Sequence, residues 1–301
     1  MRNVCLILVL PAVLACGSDA PGPRDSATGT PATDSPVAAD PIPAASNWDP
    51  AAGPVLLIAG DRPEQVIVVS AEMDGFIEPE SLDVSDLVGS TAVLMSRAGA
   101  TSTVTLGPET STAVASCNSW PVLTAPEGTA RWRIGFLDAA VQPIATDSVQ
   151  GLPSRDSSDL VSRVARLASG LDAHRTGDLA ASFQGLPFVV TDVRRFTHGD
   201  IGVMVAHVIR RVNQEANPLE EHTLLIAERR GPGAAWAVAR AERWAGREEM
   251  VTRVDLLAVV RLGGQPLIVL TRDSNASLRY VVQWRGDGTW ERRWESGISR
   301  C

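Results

Sequence analysis

Four histidines and one glutamate-rich stretch are the residues of this chain best suited to chemistry, and neither is spaced as a reaction centre. His174, His198, His207 and His222 form no His-x-x-x-His or His-Glu-x-x-His pair, and no Cys-x-x-Cys occurs. Nothing therefore has zinc-ligand spacing. His198 and Asp200 flank Gly199 in a turn signal, where polar residues serve solvation. Asp273, Asn275 and Ser277 alternate like the first half of a calcium loop but lack its later glycine and bidentate glutamate, so the segment reads as a hairpin turn. No Gly-x-Ser-x-Gly elbow is present, and the glycine pairs resemble hairpin turns rather than phosphate cradles. All 27 basic residues are arginine, which excludes Schiff-base and P-loop lysine chemistry. The expectation is no metal and no cofactor.

The densest polar stretch runs over 210–222 between two apolar segments. Read as a loop, it offers Asn213, Glu215, Asn217, Glu220 and Glu221 as a surface for a partner. It equally offers carboxylates for acid–base work, although glycosidase chemistry needs two carboxyls about 5–9.5 Å apart across a pocket, which spacing along one loop does not establish. A plain solvated loop with ion-paired strand ends is the third reading. Seven tryptophans, Trp120, Trp132, Trp236, Trp244, Trp284, Trp290 and Trp294, fall mainly in strand-like segments. Alternation there favours core packing over a glycan-binding platform.

The cysteines carry a different chemistry. Residues 1–16 place Arg2 before an apolar run that ends Val13-Leu14-Ala15-Cys16. That run is shorter than the about 20 residues of a membrane-spanning helix and fits a cleavable signal. The segment resembles the signal peptide and lipobox of bacterial lipoproteins. The resemblance implies cleavage before Cys16, diacylglyceryl attachment to its sulfur, and acylation of the new amino terminus with a fatty acid such as palmitate. It places the protein outside the cytoplasm, anchored to an envelope membrane; Gly17 after the cysteine resembles lipoproteins sent to an outer membrane. Cys5 would leave with the signal, so Cys117 and Cys301 remain for the folded part. In an exported protein such a pair points to a disulfide, with two free thiols as the alternative.

Composition then sets the frame. The 301 residues carry a net charge of −8, a poor basis for binding nucleic acid. After the signal peptide (1–15), residues 16–53 hold seven prolines and five aspartates with few apolar side chains, the composition of a disordered tether. Residues 54–150 show short aliphatic segments punctuated by Gly and Pro, an N-terminal β lobe. In 151–185, Leu160, Val161, Val164, Leu167, Ala168 and Leu171 recur at helical spacing, and Gly170 marks the stop, so a helical connector is expected. Residues 186–301 read as eight longer strands joined by turns such as Gly263-Gly264 and Gly286-Asp287-Gly288.

The fold class expected is mainly β (α+β): two antiparallel lobes bracketing one amphipathic helix. The second lobe would be a meander or a pair of propeller-like four-stranded units. The function expected is a lipid-anchored envelope lipoprotein that binds or scaffolds an envelope protein or glycan without catalysis. An envelope hydrolase acting on wall or carbohydrate substrates is the alternative.

Overall fold

A computed structural model describes residues 56–60, 62, 64–69, 83–96, 99–110, 120–125, 132–137, 141–171, 179, 181–213, 217–275 and 277–300. The signal peptide, the tether, Cys16, Cys117, His174, Glu215 and Cys301 lie outside them, as do residues 112–116 of the N-terminal β lobe.

The first sheet contains β1 (Leu56–Ala59), β2 (Gln65–Val69), β3 (Thr91–Ser96), β4 (Thr101–Thr105), β5 (Glu109–Thr110), β6 (Val122–Thr124) and β7 (Trp132–Leu137). They lie in the order β4-β3-β7-β1-β2-β6-β5. Alternate residues face opposite sides of a strand, and both sides of this sheet are apolar. Leu57, Val66, Val68, Leu94 and Leu123 gather on one side, where Val104 and Leu106 from one end of the sheet meet Leu123 and Ala125 from the other. The sheet therefore curls on itself. The segment after β4 closes the curl: Leu106 N–H donates to the Ser90 carbonyl and Gly107 N–H to the Thr124 carbonyl. At the centre, a Cβ on Gly135 would come within 2.5 Å of Leu94 Cδ2, so only glycine lets β7 lie this close to its neighbours.

The chain next adds two very short strands, β8 (Gln142–Pro143) and β9 (Asp147–Ser148), before α1 (Ser154–Gly170). Helix α1 buries Leu160, Val164 and Ala168, one stripe at the expected spacing, with Leu167 and Leu171 packed beside it. It starts at Ser154, with Pro153 at the cap position.

The remaining strands form two antiparallel meanders. The second sheet takes β10 (Val189–His198), β11 (Ile201–Val212), β12 (Leu219–Arg230) and β13 (Ala237–Arg247), with β9 pairing against β10. The third takes β14 (Arg253–Leu262), β15 (Gln265–Ser274), β16 (Ser277–Gly286) and β17 (Thr289–Glu295), with β8 against β14 and β18 (Ser299–Arg300) against β16. Asp287 and Gly288, both at positive φ, make the two-residue turn of the last hairpin. The chain is thus mainly β with one α-helix among the described residues, the α+β class read from sequence; its second lobe supplies two four-stranded meanders, which β9 extends in one sheet and β8 and β18 in the other.

Side-chain alternation stacks these elements in layers. Leu56, Ile58, Ile134 and Phe136 of the first sheet pack on Val260, Leu267, Val269, Val282 and Trp294 of the third. The third sheet's other face, through Val254, Val259, Ile268, Leu270 and Val281, packs on Val203, Val205, Leu224 and Ile226 of the second. The second sheet's outer face, Met204, Ala206, Val208, Leu225 and Ala227, receives α1. Two sheets are therefore buried on both faces, which is why unbroken apolar runs occur in the middle of their strands, at 203–206 in β11, 224–227 in β12 and 266–270 in β15.

Candidate functional site

The glutamates read as a partner loop are the first residues to place. Strand β11 ends at Val212, but β12 begins at Leu219, three residues before His222, so the loop between them shrinks to 213–218. Asn213 and Asn217 are exposed there, whereas Glu220 and Glu221 lie inside β12 and are each 2% exposed. This corrects the loop reading. Register explains it: Arg210 pairs with Glu221 and Arg211 with Glu220 across the ladder. Each carboxylate is matched by an arginine that sequence spacing alone does not align.

Alternation sends the two pairs to opposite faces. On the helix side, Arg210 Nε donates to Glu221 Oε1 at 3.0 Å and its Nη1 to the Phe183 carbonyl at 3.1 Å. The guanidinium also lies 4.2 Å from the Phe188 ring centroid. On the inner side, Arg211 Nε donates to Glu220 Oε1, and His222 Nε2 lies 2.8 Å from Glu220 Oε2. A carboxylate only accepts, so His222 presents its Nε2–H to Glu220. The row continues from His222 Nδ1 to His207 Nε2 at 3.0 Å and from His207 Nδ1 to Thr191 Oγ1 at 3.0 Å. Burial, then the neighbouring His222, pushes the His207 pKa down to about 4, so that ring is neutral at neutral pH. Burial pushes Glu220 upward, but the bonds from His222 and Arg211 outweigh it and hold its carboxyl below the usual range. The result ties β10, β11 and β12 together with a polar strip.

Similar bridges join the second and third sheets. Glu228 accepts from Arg285 Nε at 2.6 Å and from Trp290 Nε1 at 2.7 Å. Glu242 is shared by Arg240, Arg272 and Gln283, and these partners outweigh burial to keep its pKa low. The glutamates at these positions are thus occupied in holding strands and sheets together. His198 sits at the end of β10, its pKa lowered by burial and then by Arg285 and Arg261. Among the described residues, no group of three or more His, Cys, Asp or Glu side chains is placed to hold a metal ion.

An open cleft of about 450 Å³ lies elsewhere, at the turn end of the second sheet. Asp147 of β9, Arg195 and Thr197 of β10, Gly199 and Asp200 of the β10–β11 turn, Arg229 of β12 and Trp236 line it. Arg195 pairs in register with both Asp147 and Met204, which puts it on the face that carries α1. Gly202 pairs with Arg229, and a Cβ on Gly202 would stand 3.2 Å from Arg229 Cγ and 3.6 Å from Trp236. The missing side chain lets the Arg229 guanidinium lie against the Trp236 ring, 4.8 Å from its centroid, while its Nη1 donates to the Pro232 carbonyl at 3.3 Å. The cleft combines two cations, two carboxylates, a hydroxyl and an aromatic wall.

Sequence reasoning assigned Gly199 and Asp200 to a turn and Trp236 to packing, and did not single out Arg195 or Arg229. The available signal was an Arg-Arg pair near the end of β10 and another ending β12, Arg194-Arg195 and Arg229-Arg230. Compared with known proteins, the chain matches no family model, no curated protein and no solved structure.

Proposed function

We propose that this protein is a lipid-anchored envelope lipoprotein whose β-layered part is a non-catalytic binding or scaffolding module. The observation that carries the reading is the cleft bounded by Arg195, Arg229 and Trp236, an open concavity with convergent polar groups on a rigid sheet. The lipobox-like end at Cys16 supplies the anchor, and residues 16–53 supply the tether. With Glu220 and Glu221 turned into the sheet, the partner surface moves from the β11–β12 loop to this cleft. The partner is an envelope protein or glycan, and no nucleic acid is involved. Lipid anchoring draws on about 0.8 kcal/mol per buried CH₂, so a diacylated and N-acylated cysteine holds the protein at the membrane.

Site-specific photocrosslinking in cells tests the binding role. A benzophenone residue replacing Thr197 in the cleft should give a discrete adduct. The same group replacing Arg292, an exposed residue of β17, should not. Equal labelling at both positions, or none at Thr197 in correctly exported protein, contradicts the proposal.

A further inference from the structure

We infer that the cleft receives a compact carboxylic acid unit of its partner, with Arg195 as the group that takes the carboxylate. The inference rests on the binding role proposed above and names its chemistry.

Arg195 is held in place but little used. Its position is fixed on both sides, by β11 at Met204 and by β9 at Asp147. The guanidinium carries five N–H donors. Its ion partner among the described residues is Asp147, at 3.7 Å and 73% exposed, too distant for a good hydrogen bond and largely screened by water. Its Nε is buried and has no acceptor among those residues. Elsewhere in the fold the contrast is plain: Arg285 meets Glu228 at 2.6 Å, and Arg210 meets Glu221 at 3.0 Å. A positioned guanidinium without a close carboxylate suits a ligand carboxylate, which its planar fork can hold with two parallel bonds.

The rest of the cleft favours the same charge. Arg229 brings a second guanidinium, and its hydrogen bond goes to the neutral Pro232 carbonyl rather than to an acid. Of the two opposing carboxylates, Asp147 faces water, and the field of Asp200 falls on Arg285, whose pKa it helps to raise. Pro232 and Trp236 offer flat apolar surface beside these charges, suited to the body of a compact acid. The volume falls within the about 300–1,000 Å³ of small-molecule sites. A sugar acid and an acylated amino acid both supply this chemistry, and the test separates them.

The test is calorimetric titration and saturation-transfer NMR on the full-length chain in detergent. The probes are glucuronate and N-acetylalanine, each beside a neutral counterpart, glucose and N-acetylalanine amide. One or both acids should bind at a single site, and their neutral counterparts should bind at least about tenfold more weakly, as expected for loss of a hydrogen bond to a charged group. Glucuronate alone identifies a sugar acid, and N-acetylalanine alone an acyl amino acid. Arg195→Gln should weaken binding by about tenfold or more, and Arg195→Lys, which keeps the charge without the fork, by less. Should Arg195→Gln fail to fold, Arg195→Lys against wild type carries the comparison. Failure of both acids to bind, equal binding of acids and neutral probes, or unaltered affinity in a folded Arg195 variant overturns the inference. If crosslinking at Thr197 succeeds while the acids fail, the binding role stands and only the ligand chemistry falls.

Discussion

Mild acid should loosen this fold through His207 before it protonates the carboxylates. The ring sits between β10 and β12, hydrogen-bonded to Thr191 and His222, and its folded pKa of about 4 lies below the ordinary histidine value of 6.5. Above pH 6.5 both folded and unfolded chains hold it neutral, so it contributes no pH dependence. Below that, the unfolded chain binds a proton that the folded chain refuses, and stability falls until the folded ring also titrates near pH 4. At 1.36 kcal/mol per unit, the whole shift corresponds to about 3 kcal/mol, of which about 2 kcal/mol is lost by pH 5. The carboxylates work in a lower window. Glu220 and Glu242 have depressed pKa values, so their contribution is present above the unfolded value of 4.5 and is lost as pH falls through their folded values.

Urea unfolding at pH 7.5, 6.5, 5.8 and 5.0, followed by tryptophan fluorescence, measures the effect. His207→Gln keeps an amide near the position of the ring and cannot titrate there, so it should lose about 2 kcal/mol less than wild type between pH 7.5 and 5.0. Its absolute stability at pH 7.5 is not the readout; the slope is. His198 shifts in the same direction but is present in both proteins, so it cancels. Parallel pH profiles for the two proteins, or a wild-type stability that is flat over this range, would refute the reasoning.

Two further outcomes follow from the same structure. Glu221→Ala leaves the buried Arg210 without its carboxylate and should cost about 3–5 kcal/mol, whereas Asn217→Ala in the exposed loop should change stability by no more than about 0.5 kcal/mol. A loss below about 1 kcal/mol for Glu221→Ala in urea unfolding contradicts the buried-pair account. We also propose that Cys117 and Cys301 are paired: the mature chain should take up thiol-alkylating reagent only after reduction, and reduction should cost on the order of 5 kcal/mol by loop-closure entropy. Alkylation of the unfolded but unreduced chain would contradict it.

The parts of this fold that were legible in the sequence are those whose cause is local. Leu160, Val164 and Ala168 sit at the spacing of a helix stripe, and α1 ends at Gly170. Gly263-Gly264 and Asp287-Gly288 place their hairpins because few other residues adopt their backbone angles. What was hidden depends on distant partners. Glu220 and Glu221 look like loop residues until the β11–β12 register sets Arg211 and Arg210 opposite them. The two-residue strands β8 and β9 exist because the edges of two different sheets lie beside the connector. The cleft was invisible for the same reason: Asp147, Arg195, Arg229 and Trp236 are spread over 90 positions and meet only when β9, β10 and β12 are aligned.

The central claim, that a binding module is displayed from a membrane by a lipid, is tested most directly by the mass of the mature protein's N-terminal peptide. Isolated from the membrane fraction of the native host and digested, that peptide should begin at Cys16 and carry a diacylglyceryl thioether together with an amino-terminal acyl chain. A mature terminus at any other residue, an unmodified Cys16, or retention of residues 1–15 on protein found in the cytoplasm would contradict it.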